Sequence, residues 1–107
     1  MIYVASPFTH PDKLVMGLRR NAAFRYTANL IEQGKSAFSP IVYGWPFFIE
    51  HRAPPNFEFW QDFNERMLYL AEEVHVLQLD GWDRSRGIAH EIDFSTRIGT
   101  PIRYIMP

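Results

Sequence analysis

Residues 74–99, VHVLQLDGWDRSRGIAHEIDFSTRIG, decide the fold. Their first six residues form a short apolar run with β-branched side chains, the length and composition of a buried strand. Asp80-Gly81-Trp82-Asp83-Arg84 follows, and its Asp-Gly pair marks a tight connection. A helical pattern then starts at Ser85, a good N-cap, and places Ile88, Ile92, Phe94 and Ile98 along it. Gly99, followed by Thr100 and Pro101, is a good stop. A strand that turns into a helix in this way aims the helix N-terminus at whatever binds beyond the sheet's carboxyl edge. Glu91 lies six residues past the cap, about one and two-thirds turns at ~3.6 residues per turn. Its side chain is long enough to reach back to that mouth.

Working outward, residues 1–5 are apolar and β-rich until Ser6-Pro7 breaks them, so a first strand ends in a turn there. Pro11 suits the first turn of a helix. Leu14, Leu18, Ala22 and Tyr26 recur at four-residue spacing, joined by Val15, Ala23, Leu30 and Ile31, and Gly34 closes the pattern. An amphipathic element of that length predicts cover for one sheet face. Residues 36–39 predict a second strand, stopped at Pro40. Residues 41–59 are the least regular, holding Trp45, Phe47, Phe48, His51, Phe57 and Phe59. Pro40, Pro46, Pro54 and Pro55 argue against a long helix here, beyond a turn or two around residues 45–50. This aromatic segment is either a lid that stacks on a flat ring or a flap packed on its own domain or on a second subunit. Residues 60–73 read as a helix with Phe63, Met67 and Leu70 on one stripe, and residues 102–105 as the last strand.

The order is α/β: a small doubly wound, flavodoxin- or Rossmann-like parallel sheet of four to five strands with helices on both faces. A fifth strand would have to lie in the aromatic segment. In such sheets the ligand sits outside the carboxyl ends of the strands, where the strand order reverses. Residues 6–10, 39–43 and 80–85 stand at that edge, which makes Ser6, Pro7, Phe8, Asp80 and Trp82 candidate ligand contacts. The helix start adds free backbone N–H groups, a seat for a phosphate or carboxylate. There is no GxGxxG and no P-loop GK[ST], so dinucleotide and common triphosphate chemistry have no support.

Composition narrows the function classes further. A chain of 107 residues predicts one domain over residues 1–107, and 47% apolar content is enough for a core. A formal net charge of −1 gives no footprint for nucleic acid or an acidic membrane surface. The absence of cysteine removes disulfides, thiolate zinc sites and a cysteine nucleophile together. His10, His51, His75 and His90 have no ligand spacing, so no metal is expected. MIYVASPF has no basic region followed by an apolar one, and no apolar run approaches membrane-spanning length, so a cytoplasmic protein is the expectation.

The opening IYVASPF, the run LAEEVHVLQLDGWDRSRGIAHE and the closing GTPI resemble the nucleoside 2-deoxyribosyltransferase superfamily. They are most similar to its small uncharacterised bacterial and phage members, the DUF1937- and DUF4406-like domains. The shared hallmark is Gly-Trp, then serine, glycine and a glutamate four residues on, here Gly81-Trp82, Ser85, Gly87 and Glu91. The resemblance implies an N-glycosidase or deoxyribosyltransferase acting on a nucleoside or nucleotide without a cofactor. Glu91 is then the nucleophile that forms a covalent glycosyl-enzyme, and Tyr3 the residue that orients it. Ser85 meets the 5′ end of the sugar or its phosphate, with N–H donors at Arg86 and Gly87. Family enzymes also carry an aspartate before the third strand that handles the base. Here that position falls at Asn64 or Glu65, with Asp62 most of a turn away. Glu65 or Asp62 substitutes, or the role is missing; Asn64 could bind a base without protonating it. The resemblance and the aromatic segment together imply a homodimer or homotetramer.

Each candidate has a plainer reading. Glu91 is alternatively a surface residue paired with Arg84 or Arg97, Tyr3 a core aromatic, and Ser85 only a helix cap. Arg84 and Arg86 either pair with a phosphate or are solvated. Asp80 and Asp83 contact ribose hydroxyls or serve the turn. Asp93 and Arg97 have the spacing of a solvated i, i+4 pair. Three functions therefore stand beside one another: a glycosyl-transferring enzyme, a nucleotide-binding module on the same scaffold, and an oligomerising protein whose aromatic segment is interface only.

Overall fold

A computed structural model describes residues 1–54 and 56–107; Pro55, read above as part of the aromatic segment, lies outside the described residues. The elements are β1 (Ile2–Ala5), α1 (Lys13–Glu32), β2 (Ala37–Phe38), α2 (Pro40–His51), α3 (Phe57–Leu70), β3 (Glu73–Leu77), a 3₁₀ turn (Trp82–Arg84), α4 (Arg86–Ile98) and β4 (Ile102–Ile105). All strands are parallel, in the order β2-β1-β3-β4. This is the small doubly wound α/β fold, with four strands. The chain leaves β1 to one side for β2 and to the other for β3, so the order reverses between β1 and β3. The crevice for a ligand opens at their carboxyl ends.

Alternation along the strands gives the sheet two apolar faces. Tyr3, Ala5, Val74 and Val76 pack with Leu68 and Ala71 at the end of α3 and Ile88 of α4. Val4 and Leu77 face the other way and pack with Leu30 of α1. His75 is buried on that second face, where its Nδ1 meets the Tyr26 hydroxyl at 2.6 Å and its Nε2 meets Glu73. Among the described residues no helix is long and apolar enough to cross a membrane.

The helix after β3 starts and stops where its local signals put it. Ser85 Oγ accepts from Ile88 N at 3.2 Å, and Gly99 closes α4 at φ 78°. Replacing Ser85 with alanine removes that bond and is expected to cost ~1 kcal/mol of stability by urea denaturation; an unchanged midpoint and slope would remove the cap from the account.

Three expectations are corrected. The apolar set expected on α1 turns inward only in part: Ala23 and Leu30 are buried with Met16 and Thr27, and Tyr26 packs beside them, while Leu14 and Leu18 are 74% and 64% exposed. Four-residue steps drift by roughly 40° each at about 100° per residue, whereas the 7-4-3 steps of the buried set stay on one side. Thr27 fits there because its hydroxyl donates to Ala23 O at 2.8 Å. Second, a helix of 12 residues that starts at Pro40 takes up much of the irregular segment, and no fifth strand occurs among the described residues. Pro40 occupies N1, where a missing N–H costs nothing, and Ser39 Oγ caps Val42 N at 3.2 Å. Pro46 lies in the interior of α2, and Arg52 ends the helix in the left-handed region at φ 57°. Third, α3 begins at Phe57, ahead of the expected start, because Asn56 Oδ1 accepts from Phe59 N at 2.9 Å. Its buried residue is Leu68, and Leu70 is 68% exposed.

Candidate active site

The tips of β1 and β3, the start of α2, the first half of α3 and the start of α4 enclose a cavity of about 560 Å³. Of the residues proposed from sequence, Ser6, Phe8, Asn64, Asp80, Ser85, Arg86, Gly87 and Glu91 line it. The cavity is walled by the three segments read as the ligand edge, joined by α3 and by the first turns of α4.

Glu91 sits on the inward side of α4, between Ile88 and Ser95, and is 7% exposed. The Tyr3 hydroxyl, itself fully buried in the central strand, donates to Glu91 Oε2. The plainer reading of Glu91 as a surface ion pair is therefore wrong; Arg97 pairs with Asp93 instead, at 2.7 Å. Burial pushes the Glu91 carboxyl up to about 7, and donation from Tyr3 holds it back from going higher. Burial likewise raises the Tyr3 hydroxyl well above its ordinary value, with a further push from the Glu91 charge, so Tyr3 stays a donor. Tyr3→Phe is expected to raise the Glu91 pKa further, because the bond that favours the ionised form is lost. A ¹³C NMR titration of the side-chain carboxyl reads this, and an unmoved pKa would contradict it.

Two further atoms matter. Ser6 and Asn64 line the cavity, and their side-chain oxygens Ser6 Oγ and Asn64 Oδ1 are buried with no hydrogen-bond partner in the protein. An unmet buried polar atom costs about 1–3 kcal/mol, so both atoms are held at a cost that no contact within the protein offsets.

At the mouth, Arg86 Nη1 pairs with Glu58 Oε1 at 2.7 Å and its guanidinium lies 5.2 Å over the Phe57 ring. Glu58's own backbone N–H and Arg86 hold the Glu58 carboxyl below its usual range. Arg86 is thus partnered by Glu58 in an exposed ion pair. The aromatic segment packs on its own chain and also walls the cavity. Phe8 meets Trp45 and Phe48 edge-on at 5.8 and 6.1 Å, Tyr43 stacks on Phe63 at 5.2 Å, and Phe48 and Trp60 line the opening.

Four candidates stand elsewhere. Glu65 Oε2 is held by His90 Nε2 at 2.5 Å and Gln61 Nε2 at 3.2 Å, on the side of α3 that meets α4. Asp62 is exposed and away from the cavity, because side chains two positions from Asn64 point across the helix. Pro7 is fully buried beneath the first loop, and Trp82 packs on the core and on Tyr104 at 5.8 Å. Sequence reasoning passed over Arg19, which reaches the cavity from α1. No group of three or more His, Asp or Glu suited to a metal occurs among the described residues.

No curated protein matches the chain. The family described as "Domain of unknown function (DUF1937)" matches it over residues 1–106, and the chain belongs to that family.

Proposed function

We propose that this protein is a nucleoside or nucleotide N-glycosidase or deoxyribosyltransferase that works through a covalent glycosyl-glutamate at Glu91. The observation that carries the proposal is a buried carboxyl, presented to a cavity at the strand tips and held by a buried tyrosine hydroxyl. The resemblance of the same residues to the nucleoside 2-deoxyribosyltransferase superfamily supports it. Tyr3 occupies Glu91 Oε2, which leaves Oε1 for the anomeric carbon. That oxygen bonds to C1′ as the C1′–N bond to the base breaks, and the electron pair leaves with the base nitrogen, which takes a proton from solvent. Water or a second base then attacks C1′ from the side the first base left, gives up its proton to solvent and releases the carboxylate, retaining the configuration. Ser85 and the N–H groups at the start of α4 would hold the 5′ end of the sugar.

A second reading, a nucleotide-binding module that does not turn over, is favoured by one observation. At the position where the resemblance expects an aspartate, the residue that lines the cavity is Asn64, which can hold a base by hydrogen bonds and cannot protonate it. Thermal-shift screening with deoxynucleosides and their 5′-monophosphates, followed by chromatography for released base, separates the two. Stabilisation with release supports the enzyme, stabilisation without release the module, and no shift with any of them contradicts both. The proposed assembly is a homodimer or homotetramer, supported by the exposed Tyr43, Phe47 and Phe59 beside the cavity; a monomeric mass in solution would contradict it.

A further inference from the structure

We propose that Arg19 is a positioning residue that sets the width of the ligand crevice. It rises from α1 and donates from Nη1 to Phe8 O at 3.3 Å and Thr9 O at 3.1 Å, and from Nη2 to Asp80 O at 3.0 Å. Those carbonyls belong to the two loops that leave β1 and β3, the strands between which the sheet order reverses. One planar guanidinium therefore bridges the crevice, a task suited to a rigid fork of donors and not to a single ammonium.

The fit is close on the far side. Gly81 has φ +89°, and a Cβ there would stand 2.7 Å from Arg19 Nη2. A side chain at position 81 would displace the guanidinium as well as strain the turn. Arg19 is also a partition. A second, shallower cavity of about 290 Å³ lies between α1 and the tip of β3, and His10, Arg19 and Asp80 border both spaces. Its other walls are apolar side chains, Val15, Leu18, Ala22 and Leu79. Removing the guanidinium joins the two spaces and opens the crevice to water from behind.

The clamp is independent of the reaction, so its test begins on the ligand-free protein. Amide exchange is followed at Trp82 and Arg84 in the second loop and at Asp12 and Leu14 after the first. Glu72 and Val74, at the opposite end of the sheet, are the controls. Arg19→Ala is expected to speed exchange at the loop amides about tenfold to a hundredfold, the scale of charge-assisted hydrogen bonds lost, and to leave the controls unchanged. Arg19→Lys restores part of the protection, and Gly81→Ala reproduces the loss with Arg19 still present. The double variant is no worse than the poorer single one, because both break one contact set. Multiplying effects, unchanged loop exchange, or equal acceleration at both ends would overturn the proposal. If Arg19→Ala does not fold, Arg19→Lys and Gly81→Ala decide it by the same exchange pattern.

A binding arm rests on the reading of the cavity as a nucleotide site and uses the common 2′-deoxynucleoside 5′-monophosphates. Each that binds the native protein should bind Arg19→Lys and Gly81→Ala several-fold more weakly, and equal affinity would count against the clamp. If none binds the native protein, the nucleotide reading fails and the exchange result alone decides the role of Arg19.

Discussion

Glu91→Gln is expected to reduce base release from a deoxynucleoside or deoxynucleotide by about a thousandfold or more, the loss usual when a covalent nucleophile is removed. The substitution keeps the shape and an oxygen that can accept from Tyr3, so the fold and ligand binding should survive. Thermal shift with the same ligands checks the second half of that statement. Retained turnover in Glu91→Gln would show that the carboxyl is not the attacking group. The native activity should also have an acid limb, because only the ionised carboxylate attacks. With the Glu91 carboxyl at about 7, kcat/KM is expected to rise with pH through neutrality and level off above it.

The second large effect is on stability. Glu91 ordinarily titrates at 4.5 and in the folded protein at about 7. Between these values the native state holds a proton that the unfolded chain has released. Stability therefore falls as pH rises through this window, by up to about 3 kcal/mol at ~1.4 kcal/mol per pH unit, and is flat with respect to this group on either side. Glu91→Gln has no charge to bury and should lack that decline. It is then expected to match the native protein near pH 4 and to exceed it above pH 7. Urea unfolding of both proteins across this range gives the difference directly. Parallel pH profiles would contradict the burial argument, since any other titrating group contributes equally to both.

The part of the fold that was legible in the sequence was the part governed by local signals. The strand–turn–helix at the centre was bounded by Ser85 and Gly99, whose roles depend on their immediate neighbours, and both perform them. The last strand runs over residues 102–105 as read. Pro40 was ambiguous because the same residue ends a strand and opens a helix, and only Ser39 beside it favours the second role. The buried side of α1 was legible only in part, through Ala23 and Leu30, for a different reason. The helix has apolar residues around most of its circumference, so the sheet, and not its own pattern, selects Met16, Ala23, Thr27 and Leu30.

The candidate site divides in the same way. Its location at the strand tips follows from alternating strands and helices, and the loops at residues 6–10 and 80–85 do border the cavity. The pairing of Tyr3 with Glu91 joins residues 88 positions apart, and only a resemblance suggested it. Counting along a helix could not decide among Asp62, Asn64 and Glu65, because neighbouring positions face different ways; the helix turns Asn64 to the cavity and Glu65 to His90. Arg19 left no trace in the sequence, since its partners are backbone carbonyls between 10 and 61 residues away.

Intact-mass spectrometry after incubation with a deoxynucleotide mixture addresses the central claim most directly. A species heavier by one 5-phospho-2-deoxyribosyl group is expected, with the added mass mapped to Glu91 and absent from Glu91→Gln. Base release with no such species on the native protein, or the same adduct on the variant, would contradict it.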